Sequence, residues 1–327
     1  MRLRPLGSTG LTVSPVGLGL AALGRPAYID LGRDADLGAD RGVEALERRC
    51  HQVLDAAFGA GVRYLDAARS YGRAEAFLAS WLQARGLDPA EVTVGSKWGY
   101  TYVGDWRMDA DVHEVKDHSL AALTRQLAES RDLLGGHLDL YQVHSATLDS
   151  GVLQDRAVLG ALARLRDQGV VVGLSSSGPG QAATIRRALE VSAAGVAPFA
   201  CVQATWNLLE PSAGPALAEA GAAGWGVIVK EAVANGRLTP HGSGPAAEAL
   251  GRVAARHGVG VDAVALAAVL ANPWADVVLS GAVTPAQLEA NLAAVRVELD
   301  PGELEELAAL AEPPERYWRE RSALSWS

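Results

Sequence analysis

One pattern limits this chain more than any other. Eight short runs rich in β-branched and apolar residues recur along it, each followed by an amphipathic stretch of helical period. The runs fall at residues 16–20, 62–66, 92–96, 138–144, 170–175, 199–203, 226–230 and 277–281. The helical stretches between and after them fall at 45–60, 73–85, 120–134, 158–168, 181–194, 215–223, 246–257 and 285–295. Strands alternating with helices of this length make βαβ units, hence a parallel sheet. The runs are apolar throughout rather than alternating, as in strands covered on both faces. Eight such units close a (β/α)₈ TIM barrel, and 327 residues hold one with insertions.

A doubly wound sheet is the competing fold. Its support is Gly17-Leu18-Gly19-Leu20-Ala21-Ala22, a G-x-G-x-x-A match directly after a strand. That fingerprint needs a helix opening at its end to receive a pyrophosphate. Here a stretch rich in Gly, Pro and Asp follows, so the barrel is preferred. The match beginning at Gly258 lies between helical stretches and carries no weight.

The rest of the chain decorates one barrel domain spanning residues 1–327, its first strand region at 14–24. Residues 2–13 read as a hairpin turning at Gly7-Ser8-Thr9-Gly10. Residues 24–42, 100–117 and 232–246 read as long loops. Residues 313–327 form a tail whose Trp318 and Trp326 call for a surface to pack on, near the site. With 49% hydrophobic and 20% charged residues the chain can fill a large core, which excludes global disorder. The net charge of −9 argues against nucleic acid or an anionic membrane as partner. No apolar run approaches the roughly 18–20 residues that span a bilayer. The opening MRLRPLGSTG lacks the apolar core of a signal peptide, and Cys50 and Cys201 make neither a disulfide framework nor a metal cluster. A cytoplasmic protein is expected, with its oligomeric state left open.

In a barrel of this class, polar residues at the C-terminal ends of strands are the catalytic candidates. The strand ends carry Asp66 with Tyr71 close behind, Lys97, His144, Ser175-Ser176, Gln203 and Lys230-Glu231. Asp66, Lys97 and His144 end the second, third and fourth strands, so they and Tyr71 converge. A tyrosine hydroxyl is a weak acid near pH 7. A neighbouring ammonium favours its phenolate, a carboxylate holds that ammonium in place, and a histidine can donate to the substrate oxygen. The set suits protonation of an oxyanion formed as hydride reaches a carbonyl carbon, chemistry that needs a nicotinamide cofactor. Taken singly, each residue also has a structural reading: Asp66 as a turn cap, Tyr71 as a turn tyrosine, Lys97 as a snorkelling surface lysine, His144 as a hydrogen-bonded barrel residue. His113 and His118 share one loop but lack a third metal ligand, so no metal site is expected.

At this point the residues resemble those of the aldo-keto reductase superfamily. The opening Leu6-Gly7-Ser8-Thr9-Gly10 and Gly17-Leu18-Gly19 are similar to that family's start. Asp66-Ala67-Ala68-Arg69-Ser70-Tyr71-Gly72 with Glu75 resembles its D-T-A-x-x-Y-G-x-x-E segment. Val94-Gly95-Ser96-Lys97 resembles its lysine strand, Asp139 to His144 its histidine strand, Gly173-Leu174-Ser175-Ser176 its G-x-S-N, and Val202-Gln203 its glutamine strand. Gly281, Thr284, Gln287-Leu288 and Asn291 resemble the closing G-x-x-x-x-x-Q-L-x-x-N. The resemblance implies NADPH, or alternatively NADH, bound without a Rossmann domain. It implies an aldehyde or ketone reduced to an alcohol, or the reverse, with Tyr71 as general acid, Asp66 and Lys97 as its tuning pair and His144 as orienter. It implies that Ser175, Ser176 and Gln203 hold the carboxamide, and that Gly281, Thr284, Gln287 and Asn291 bind the cofactor. A non-catalytic NADP(H)-binding regulator or scaffold on the same fold is the alternative.

Three features depart from the family pattern. Ser176 stands where asparagine is usual. Lys230 and Glu231 follow the seventh strand where a stacking aromatic is usual, and Lys230 is a candidate for a cofactor phosphate or substrate carboxylate. Val283 replaces the cation that meets a 2′-phosphate, with Arg237 as a candidate substitute. Trp98, Trp106, Trp206 and Trp318 are the expected walls of the substrate pocket, which suits an apolar or sugar-like carbonyl compound.

Overall fold

The computed structural model describes residues 1–193 and 195–326. Eight parallel strands close a barrel in chain order. They are β1 (Val16–Gly19), β2 (Tyr64–Asp66), β3 (Thr93–Trp98), β4 (Leu138–Ala146), β5 (Val171–Ser176), β6 (Cys201–Thr205), β7 (Gly226–Lys230) and β8 (Val277–Ser280). The ring closes where Val278 to Ser280 of β8 pair with Val16 to Leu18. Each strand lies within two residues of the run read from the sequence, because burial on both faces leaves an unbroken apolar signal.

The helices form where apolar spacing and end signals agree. Leu120–Leu134 begins at Ser119, whose side chain accepts from Ala122 N, and Arg156–Asp167 begins at Asp155, which accepts from Ala157 N and Val158 N. Among the described residues, three helices outside the loop stretches escape the periodicity argument. Val261–Leu270 is buried from Asp262 through Val269, so it is apolar on every face and has no stripe to read. Pro301–Ala308 is announced only by its Asp300–Glu303 capping box, and Pro314–Ser322 by prolines at its start. Among the described residues, no single helix is long and apolar enough to cross a membrane.

The additions seal the two ends of the barrel. Arg4–Pro5 pairs antiparallel with Thr12–Val13. This hairpin covers the N-terminal ends of the strands, packing Leu6 and Val13 with Tyr64, Leu140, Cys201, Ile228 and Val277. At the opposite mouth, the stretch expected as a loop over 100–117 contains an antiparallel pair, Tyr100–Tyr102 with Glu114–Lys116. The stretch 24–42 contains a short helix, Arg33–Leu37. It crosses to the loop after β7, where Leu31 N donates to Asn235 O at 3.1 Å and Asn235 Nδ2 to Ile29 O at 2.8 Å.

Candidate active site

The barrel interior sets the first pair of groups. Tyr64 fills the axis because its neighbours are glycines: a Cβ at Gly17 would lie 2.8 Å from Tyr64 Cδ1, and one at Gly95 would overlap the Tyr64 hydroxyl. That hydroxyl donates to Asp66 Oδ1 at 3.2 Å, one layer nearer the mouth. Lys97 Nζ donates to Asp66 Oδ2 at 2.5 Å and to Ala67 O at 2.9 Å, with its side chain fully buried. Burial pushes the Lys97 ammonium below its usual range while Asp66 pulls it back up. Gln203 Nε2 completes the shell of Asp66 at 2.9 Å. An ion pair this buried is costly to break, since either partner alone would be an uncompensated charge.

Tyr71 and His144 stand above this pair. Lys97 Nζ lies 4.9 Å from the Tyr71 ring centroid, and the Tyr71 and His144 rings meet edge to face at 5.4 Å. Burial and then Asp66 push the Tyr71 phenol well above its ordinary value, and Arg25 opposes them from 5.2 Å. The Lys97 charge is balanced by its own carboxylate, so Tyr71 here is a protonated phenol. Burial, followed by Lys97, Arg25 and Lys230, holds the His144 imidazole well below its usual range and therefore neutral. His144 is aimed by a β-bulge in which the β4–β5 register shifts between Val143 and Ala146. Ser145 takes a positive φ of 48° there, and its N–H donates to Ser175 Oγ at 2.8 Å. Ser70 Oγ lies 3.2 Å from His144 Nδ1, and His118 Nε2 lies 2.8 Å from His144 O.

The opposite wall comes from β5 to β8. Ser176 Oγ is fully buried without a hydrogen-bond partner. Lys230 Nζ donates to Thr205 Oγ1 at 2.7 Å and Ser177 Oγ at 3.1 Å. Glu231 is bound through both carboxylate oxygens by Arg321 of the tail helix. Gly281 faces open space where a Cβ would be. Thr284 caps the helix Pro285–Leu292, Gln287 accepts from Val283 N and donates to Asp36 Oδ2 at 2.6 Å, and Asn291 donates to Ser280 Oγ at 2.8 Å. Ser175, by contrast, is committed to the bulge under His144.

These residues border a cavity of about 380 Å³ at the C-terminal ends of the strands. Asp66, Tyr71, His144, Gln203, Lys230, Glu231 and Gly281 line it. Arg237 does not: its guanidinium is bound by Glu312 at 2.5 and 3.1 Å and approached by Glu320 at 3.4 Å. None of the four tryptophans expected in the wall lines it either. Trp98 is fully buried, Trp318 packs in a core beside Tyr317, and Trp206 packs on Trp274 at 5.8 Å. Trp106 packs on Phe77 and donates its indole N–H to Arg41 O at 2.9 Å. The aromatic walls are instead Tyr28, Tyr100 and Trp326, with Arg25 between them. Arg25 packs over Tyr28 at 5.0 Å and Trp326 at 4.9 Å, and donates to Glu114 at 2.6 Å. Tyr100, Tyr28 and Arg25 sit in segments without periodicity, so only their place after strand ends signals them.

A parallel eight-stranded barrel whose mouth gathers a phenol, a buried ammonium–carboxylate pair and a neutral imidazole is a defined class of site. The chain belongs to the Aldo/keto reductase family, whose model matches residues 38–312. It is 29% identical over 184 residues to the uncharacterized oxidoreductase YqkF of Bacillus subtilis (55% of this chain, 50% of that protein). It is 29% identical over 163 residues to the pyridoxal 4-dehydrogenase of Microbacterium luteolum (43% and 42%). The chain thus matches about half the length of these curated relatives or less. Among solved structures it is similar to a Pseudomonas aeruginosa protein provisionally assigned as an aldo-keto reductase, at 26% identity and a TM-score of 0.65, covering 90% of this chain and 95% of that one. It shares its fold with the holo form of an aldo-keto reductase from Bacillus halodurans, at 22% identity and a TM-score of 0.71, covering 96% and 97%.

Proposed function

We propose that this protein is a nicotinamide-dependent oxidoreductase that interconverts aldehydes or ketones with alcohols, Tyr71 being the group that transfers the proton. One observation carries the reading: the Tyr71 phenol meets the His144 ring at 5.4 Å and lies over the buried Lys97–Asp66 pair. The residues present suit a nicotinamide dinucleotide. Ser176 Oγ is an unpartnered polar atom beneath the mouth, and Gln203 commits one of its two amide protons to Asp66, so both can hold a carboxamide. When bound, the dinucleotide supplies or accepts the hydride.

The protein's own part is orientation and proton transfer. Ser70 Oγ lies 3.2 Å from His144 Nδ1; in the tautomer in which Ser70 donates, the proton sits on Nε2 and can hold a carbonyl oxygen. The Tyr71 hydroxyl gives its proton to the alkoxide as the negative charge develops there. The Lys97 ammonium, fixed 4.9 Å from the ring, stabilises the phenolate left behind. The same groups run in reverse for an alcohol, Tyr71 then accepting the proton. We assign no preference between NADPH and NADH, because Val283 supplies no cation and Arg237 is already held by Glu312 and Glu320.

Tyr71→Phe tests the assignment. Turnover of a panel of aldehydes and ketones with NADPH and NADH should fall about 10²–10⁴-fold, the usual worth of a positioned general acid. Dinucleotide affinity, followed by fluorescence titration, should stay unchanged. Undiminished turnover would remove Tyr71 from the reaction. A wild type that binds dinucleotide but turns over no carbonyl or alcohol would favour the non-catalytic reading.

A further inference from the structure

We propose that Lys230 is the anchor of an anion subsite in the cavity wall, taking an oxyanion of the bound ligand: a substrate carboxylate or a dinucleotide phosphate. The inference rests on the reading of the cavity as a dinucleotide-and-carbonyl site, and it assigns that site a charge selectivity.

The charges around the mouth decide it. Of the acids lining the cavity, Asp66 is paired with Lys97 and Glu114 with Arg25, while burial pushes the Asp30 carboxyl up to about 7. Glu231, next in sequence to Lys230, pairs with it at 3.7 Å but is shared, both of its carboxylate oxygens being held by Arg321. Glu231 sits at a positive φ of 57°, its carbonyl held by Asn207 Nδ2 at 2.9 Å. A glutamate adopts that region only under constraint, and the constraint here delivers its carboxylate to Arg321 and to the Thr205 hydroxyl at 3.1 Å. The ion pair of Lys230 Nζ with Glu231 Oε1 is the looser of the two that Glu231 makes, at 3.7 Å against direct hydrogen bonds from Arg321. Lys230, Glu231 and Arg321 together carry a net positive charge.

Lys230 is also built to use that charge. Its ammonium has three donors, two of which go to the neutral hydroxyls of Thr205 and Ser177 and fix its position without neutralising it. The third is unassigned, and the side chain keeps 15% of its surface exposed. Ser177 also lines the cavity, and having accepted from Lys230 it can turn its own proton toward the same anion. Burial, eased by Glu231 and reinforced by Arg321 and Lys97, lowers the ammonium to about 8, so it is charged at neutral pH.

The test uses the full chain, titrated calorimetrically with succinate and with inorganic pyrophosphate, neither of which needs turnover. At least one anion should bind the wild type; Lys230→Met should weaken it about 10–100-fold, the scale of one charge-assisted hydrogen bond, and Lys230→Arg should restore most of the loss. Arg321→Met should also weaken it, by releasing Glu231 onto Lys230. Loss of succinate binding, with a raised KM for 4-oxobutanoate but not for neutral 4-methylpentanal, assigns a substrate carboxylate. Equal weakening of oxidised and reduced dinucleotide assigns a phosphate. The proposal is overturned if neither anion binds the wild type, if K230M binds both as well as wild type, or if R321M binds them more tightly. Anion binding intact in a protein that reduces no carbonyl would count against the reductase reading and leave the subsite standing.

Discussion

The proton-donor role proposed for Tyr71 needs a protonated phenol, and its surroundings favour that form. Burial and Asp66 outweigh Arg25, so the phenol is held in its protonated form, with Lys97 4.9 Å from its ring. The expectation from residue types alone was of an ammonium that lowers the phenol; pairing with Asp66 cancels that effect in this state. The two histidines near the site are kept neutral by burial, His118 down to about 4 and His144 well below its ordinary value. In the unfolded chain each takes up a proton near 6.5. Stability contributed by these neutral rings is therefore complete above pH 6.5 and is lost as pH falls from there toward about 4. Urea unfolding at pH 7, 5.5 and 4.5 should show that fall, and His118→Asn should make it shallower. An identical slope in the variant would exclude His118 from the acid response.

Strands reveal themselves through burial, and all eight were legible for that reason. What escaped is what burial hides or what direction decides. The helix Val261–Leu270 has no polar face, and the pair Tyr100–Tyr102 with Glu114–Lys116 is too short for a period. The four chemical groups were readable because strand ends meet at one mouth, whatever their separation in sequence. The cavity wall was not, because tryptophan content says nothing of where an indole points: four candidates pack elsewhere, and Trp326 took the place. Arg237 was likewise lost to Glu312, a partner 75 residues away that no local spacing announces. At the same scale, β2 depends on its neighbours being small. Gly95→Ala should cost about 1–3 kcal/mol as an overpacked core position, and lower turnover by moving Tyr64 and with it Asp66. Tyr64→Phe removes the overlapping hydroxyl, so the double variant should be less destabilised than the two single changes added together. Strict additivity in thermal unfolding would show that the two side chains do not meet.

Across the whole molecule, the last residues fold back over the first loops. Tyr317 OH accepts from Asn207 Nδ2 at 3.0 Å, Arg321 holds Glu231, and Trp326 stacks on His113 at 4.1 Å while Arg25 lies 4.9 Å from its ring. Removing residues 323–327 takes away the Trp326 wall and spares the helix with Arg321. Carbonyl KM should then rise about 2–10-fold, as for the loss of one or two aromatic contacts, with the unfolding temperature almost unchanged. An unaltered KM would place Trp326 outside the substrate's reach. The opening hairpin and Trp326 thus lie at opposite poles of the barrel: the hairpin packs across the floor, and Trp326 borders the mouth. That polarity is a practical instruction. A fluorophore carried on the hairpin sits well away from the cavity, whereas one carried at Trp326 sits at its entrance, and a short linker cannot join these two segments in a circular permutant.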